Sequence, residues 1–111
     1  MLVFVYGSLR SDGDNSDKMR TACGSFQFPA TTLKEFYKGN NGYFDYLMDE
    51  GQDIHKDQKT PIHGEVYNVP SQFVEYLDAF EEPLERKTIE VEFENWTYEV
   101  QCYFCTNSNE C

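Results

Sequence analysis

Leu2-Val3-Phe4-Val5-Tyr6-Gly7-Ser8 is the stretch on which the reading of this chain turns. Five apolar residues in unbroken succession, β-branched and aromatic, describe a strand buried on both faces, and Gly7-Ser8 closes it with a tight turn. Downstream, residues 11–16 are Ser, Asp, Gly and Asn and read as loop. Residues 18–23 allow one or two helical turns, stopped by Gly24. Residues 25–48 are aromatic and β-rich, interrupted by Pro29 and by Gly39-Asn-Asn-Gly42, and predict two or three short strands with a hairpin. Residues 49–61 are polar and charged and predict a solvated loop. Another strand follows at 61–69 and stops at Pro70. Residues 71–82 carry a helical period. Two alternating strands close the chain at 88–93 and 97–105, joined by Glu94-Asn95. Six or seven short strands with no long helices between them argue against a parallel α/β layer. They predict an α+β fold: a small mixed β-barrel of about six strands, one main helix and short helical turns.

At 111 residues the chain is one domain, spanning 1–111. Nine basic against twenty acidic residues give a net charge of −11. That surface repels phosphate, so neither nucleic acid nor an anionic membrane is an expected partner. No segment reaches the roughly 20 apolar residues of a membrane helix. The apolar N-terminal run is too short for a signal peptide and has no basic region before it. A cytoplasmic protein, a monomer or weak homodimer, is the expectation. Of the four cysteines, Cys102-Tyr-Phe-Cys105 has the spacing of half a zinc site. No second pair follows, and in a strand residues three apart point to opposite faces. No metal site is expected, and Cys102, Cys105 and Cys111 read as thiols packed in or beside the last strand.

The helix carries one residue out of place. At about 100° per residue, Phe73, Val74, Tyr76, Leu77 and Phe80 form an apolar stripe, while Glu75, Asp78 and Glu82 fall on the far side. Glu81 lies between Leu77 and Val74, on the buried half. Burial and the negative end of the helix dipole raise a carboxyl pKa, as a general acid/base near neutral pH requires. The alternative is that Glu81 pairs with Arg86 or that the helix frays before it. The turn after the first strand has two readings as well. Its backbone N–H groups at Gly7, Ser8 and Leu9 form a ready anion site, or it is a plain strand-ending turn in which Ser8 bonds its own backbone.

Four ordered segments resemble the γ-glutamylcyclotransferase superfamily, in particular its γ-glutamylamine-cyclotransferase and AIG2-like branch. They are Phe4-Val-Tyr-Gly-Ser-Leu-Arg10, Gly42-Tyr43, Gly64-Glu-Val-Tyr-Asn-Val69, and Leu77-Asp-Ala-Phe-Glu81 followed by Arg86. The resemblance implies a six-stranded mixed barrel and a cavity where the Tyr-Gly-Ser-Leu turn holds a glutamyl group. It implies Glu81 as the catalytic acid/base, with Tyr6, Gly7, Ser8, Leu9, Tyr43 and Arg86 binding substrate and no cofactor. The implied reaction releases 5-oxoproline from a γ-glutamyl-amine or γ-glutamyl-amino acid, a small-molecule γ-glutamyl substrate. Leu84 stands where the family usually has a Tyr, and this leaves a second expectation: an inactive module that sequesters a small ligand in the same cavity. Asp12, Asp14 and Asp17, in the loop after the turn, are expected to put negative potential at the cavity mouth.

Overall fold

The computed structural model of the chain describes residues 1–40, 45–48 and 59–106. β1 (Leu2–Val5) is the strand the opening residues predict. Its side chains alternate strictly between two cores. Val3 and Val5 join one buried cluster, and Phe4 and Tyr6 join the other, so both faces are covered as an unbroken apolar run demands. β4 (Thr60–Asn68) lies antiparallel on one side of β1 and β6 (Trp96–Phe104) parallel on the other.

The remaining strands are β2 (Ser25–Asn40), β3 (Asp45–Met48) and β5 (Glu85–Phe93). The six run in the order β1-β4-β2-β3-β6-β5, and the pairings β1–β6 and β2–β5 close the sheet on itself. Two contacts, β1–β6 and β3–β6, are parallel and the rest antiparallel. This is the expected mixed α+β architecture. The interior cluster includes Phe4, Phe36, Val66, Val91, Val100 and Phe104.

β2 differs from its prediction. It is one strand of 16 residues rather than two or three short ones, and Pro29 does not break it. Register shifts between Phe26 and Phe28 and between Thr31 and Glu35 bend it, and proline is tolerated beside such irregularities because ladder bonds are already missing there. Bending lets β2 serve three partners: β4 from Ser25 to Phe36, β5 at Thr31 and Thr32, and β3 from Tyr37. Thr32 repairs the second shift. Its buried hydroxyl donates to the Lys34 carbonyl at 2.7 Å and accepts from the Ile62 N–H at 2.9 Å. β5 and β6 meet at Glu94-Asn95, both at positive φ, 51° and 70°, as the two-residue hairpin turn requires. Gly42, Tyr43 and most of the predicted loop at 49–61 fall outside the described residues.

α1 (Ser16–Thr21) and α2 (Ser71–Glu81) cover the outer cluster through Met19, Val74 and Leu77. The apolar stripe of α2 is narrower than its wheel: Tyr76 and Phe80 are exposed, because only the Val74–Leu77 side meets the barrel. Cys102 sits in the interior cluster and Cys105 in the outer one, the opposite faces that strand geometry assigns. Cys105 is not a free thiol: it is disulfide-bonded. Cys23 and Cys102 are free, and Cys111 lies outside the described residues. Among the described residues no three His, Cys, Asp or Glu side chains group as a metal site, and no helix is long and apolar enough to cross a membrane.

Candidate functional site

The turn after β1 is held open from behind. The Gly7 carbonyl accepts from Arg10 N–H at 3.1 Å and the Ser8 carbonyl from Asn15 N–H at 2.9 Å. Asn15 Nδ2 also donates to Ser8 Oγ at 3.0 Å. With the carbonyls engaged outward, the N–H groups of Gly7, Ser8 and Leu9 donate to no backbone or side-chain acceptor among the described residues. Two glycines make this arrangement possible. A Cβ at Gly13 would run into the Ser8 carbonyl, and one at Gly64 would collide with the Val5 carbonyl and the Phe4 ring. Gly64 thus lets β4 close on the end of β1, and its neighbour Glu65 pins the far end of the loop. Glu65 accepts from Ser11 N–H at 2.7 Å and from Ser11 Oγ at 2.8 Å. At Gly7 itself a Cβ would meet nothing within 4 Å. Gly7 therefore leaves space rather than relieving backbone strain.

That space is a pocket of about 90 Å3, lined by Tyr6, Gly7, Ser8, Leu9 and, from the end of α2, Glu81. A water occupies roughly 10–15 Å3 measured in this way, so the pocket has room for an amino-acid-sized group. Glu81 is the last residue of α2. Its carboxyl is pushed from 4.5 up to about 7, and the cause is burial. It has no ion-pair partner among the described residues. The alternative pairing with Arg86 is not what the structure has. Arg86 forks onto Asp78, Nε to Oδ1 at 3.0 Å and Nη2 to Oδ2 at 3.4 Å, and it does not line the pocket.

Asp78 is likewise not the solvated residue its wheel position suggests. It also accepts from Tyr103 Oη at 2.7 Å. Tyr103 lines the pocket, and its carbonyl accepts from Tyr6 Oη at 2.8 Å, while Tyr6 Oη accepts from Leu47 N–H at 3.2 Å. Burial pushes the Tyr6 hydroxyl well above its ordinary value, and the Glu81 carboxylate adds to this. Tyr6 is a fixed, neutral wall. The structure thus brings Tyr6, Gly7, Ser8, Leu9 and Glu81 together and leaves Arg86 outside, as a brace. Tyr43 is outside the described residues. The sequence reading missed Tyr103, Asn15 and Asp45 at the pocket and the bracing roles of Asp78 and Glu65. No local pattern marks these, because partners such as Tyr6 and Tyr103 lie up to 97 residues apart. Leu84, where the family's Tyr is missing, packs in the outer core.

The acidic loop is placed differently from expectation. Asp12 pairs with Arg10 at 3.7 Å and Asp17 with Lys18 at 3.8 Å, and none of Asp12, Asp14 and Asp17 lines the pocket. The lining carboxylates are Asp45, Glu81 and Glu82, with no Lys or Arg among the lining residues.

The model of the family described as gamma-glutamyl cyclotransferase, AIG2-like matches residues 3–111. No curated protein matches the sequence significantly. Among solved structures, the chain is similar to an AIG2-like protein of Mus musculus, with 21% identity and a TM-score of 0.78 over 95% of this chain and 76% of that one. YkqA from Bacillus subtilis shares 24% identity with a TM-score of 0.71, over 95% of this chain and 35% of its own. An allophanate hydrolase of Kluyveromyces lactis contains the same fold at 18% identity and a TM-score of 0.69, over 96% of this chain and 17% of its own. At these identities the likeness is one of fold.

Proposed function

This chain belongs to the gamma-glutamyl cyclotransferase, AIG2-like family, and on that premise we propose that it cyclises a γ-glutamyl-amine or γ-glutamyl-amino acid to 5-oxoproline, with Glu81 as the single general acid/base. The observation that carries the reading is the meeting of an unpaired, half-buried carboxyl with three unpaired backbone N–H groups in one small pocket.

The chemistry follows from that meeting. The substrate's α-ammonium must lose a proton before its nitrogen can attack the side-chain amide carbonyl. A carboxyl with a pKa of about 7 is half ionised at neutral pH, so it can take that proton and keep enough acidity to return it. The new bond joins the α-nitrogen to the δ-carbon. The bond from that carbon to the departing nitrogen then breaks, and Glu81 delivers the proton to the leaving amine. The N–H groups of Gly7, Ser8 and Leu9 hold the α-carboxylate or stabilise the oxyanion of the tetrahedral intermediate. Ring closure is intramolecular, so holding the substrate folded against Tyr6 and Leu9 removes much of its entropic barrier. Each role belongs to a residue of the chain itself.

The test is release of 5-oxoproline from a panel of γ-glutamyl compounds. Glu81→Gln keeps the volume of the side chain and removes its proton chemistry, so product formation should fall by about 10²–10⁴-fold with binding retained. Saturable binding without product in both proteins would assign the pocket to ligand sequestration instead.

A further inference from the structure

A second cavity, of about 310 Å3, opens on another part of the barrel and shares no lining residue with the Glu81 pocket. Four consecutive residues of β5, 87–90, line it together with Leu33, Lys34 and Phe36 of β2. Successive side chains of a strand point to opposite faces, so a cavity touched by four in a row runs along the edge of the strand. The pairing explains the edge. β2 and β5 join only at Thr31↔Glu92 and Thr32↔Val91. β2 then bends away to β3 from Tyr37, while β5 continues with β6 alone back to Glu85. The barrel wall is split there, and along residues 85–90 β5 pairs with no strand on the side facing β2 among the described residues.

The floor of the split is apolar. Phe36 and Phe104 meet edge to face, with ring centroids 5.1 Å apart, and both belong to the interior core. Four charged side chains line the walls: Lys34, Lys87, Glu90 and Glu99. None is in an ion pair among the described residues. Glu90 and Glu99 stand directly opposite each other across β5–β6, a like-charge pairing that weakens a sheet unless a cation joins it. Lys87 Nζ leans in over the floor, 5.9 Å from the Phe104 ring centroid.

We propose that the slot between β2 and β5 binds a short extended peptide with free termini, which adds main-chain hydrogen bonds to the open edge of β5 and lays an apolar side chain on Phe36 and Phe104. The open edge offers donors and acceptors at strand spacing, the mode by which extended peptides add to sheets. Two cations and two anions without partners match a ligand carrying one charge of each sign. A fatty anion would leave both glutamates uncompensated. The volume lies at the lower end of small-ligand cavities, about 300–1,000 Å3, which admits a di- or tripeptide and not a folded partner. The proposal is independent of the chemistry at Glu81.

The test is an amide NMR titration of the full ¹⁵N-labelled chain with three probes: Ala-Leu-Ala with free termini, the same tripeptide N-acetylated and C-amidated, and free leucine. Saturable shifts at residues 33–36 and 87–90 are expected with the free tripeptide, and binding about tenfold weaker with the blocked one. Lys87→Met and Glu90→Gln should each weaken the free tripeptide by about two- to fivefold, with the remaining amide pattern unchanged. Equal binding of the blocked peptide, or no effect of either variant, would overturn the charge recognition. Leucine binding as tightly as the tripeptide would overturn strand addition. Shifts at Gly7, Ser8, Leu9 and Glu81 instead, or no saturation up to the solubility limit, would overturn the site.

Discussion

Glu81→Gln should make the protein more stable at pH 8 while stopping its chemistry. The carboxyl titrates at about 7 in the folded chain against an ordinary 4.5. At about 1.4 kcal/mol for each tenfold change, that displacement corresponds to about 3 kcal/mol. Water reaches a half-buried group in an open pocket, so about 2 kcal/mol is the better expectation. The folded protein holds this proton to higher pH than the unfolded chain does. The wild-type side chain is therefore at its most favourable below pH 4.5, loses ground as pH rises to about 7, and beyond that is a buried charge without a partner. Glutamine is neutral throughout. The two proteins should melt together near pH 4 and separate progressively above pH 5. At pH 8 the variant should melt higher by on the order of 10 °C, since about 1 kcal/mol moves a domain of this size by roughly 4–8 °C. Thermal denaturation by circular dichroism at four or five pH values measures it. Equal melting temperatures at pH 8, or a wild type that gains on the variant as pH rises, would refute the burial of an ionisable Glu81 and with it the acid/base assignment.

Gly7→Val should fold normally, because a Cβ there meets nothing, yet lose 5-oxoproline binding; Ser8→Ala keeps the N–H groups and should bind nearly as well. Gly64→Ala should unfold the barrel rim, seen as a fall in melting temperature, since the Val5 carbonyl occupies the space a Cβ needs. Arg86→Ala should lower stability by about 1.5–3 kcal/mol through loss of charged hydrogen bonds to Asp78; a raised KM with unchanged melting would instead return Arg86 to the substrate. Cys23 should react with an alkylating reagent in the native state and Cys102 only after unfolding, because burial pushes the Cys102 thiol up. A cationic leaving group should be turned over in preference to an acidic one, by up to about tenfold at low salt and less at high salt, since Asp45 and Glu82 line the pocket with Glu81.

The buried run of β1, the alternation of β5 and β6, the helix read over 71–82 and the turn at Glu94-Asn95 were legible in the chain, because each is a pattern within a dozen residues. Glu81 stood out because a local wheel detects an acid on an apolar face without knowing what faces it. The resemblance added the barrel and the Tyr-Gly-Ser-Leu turn as a site. Other features depend on contacts across the barrel, which have no local signature. A 16-residue β2 is one strand only because β4, β5 and β3 each take a share of its edge. Arg86 lies near Glu81 in sequence but sits on Asp78, which Tyr103 engages from the opposite strand. The acids nearest the turn in sequence, Asp12 and Asp14, do not line the pocket, whereas Asp45 reaches it from β3. Sequence determined which residues alternate and which one is misplaced; the closure of the sheet decided their neighbours, because hydrogen-bonded pairing brings together groups that no local period connects.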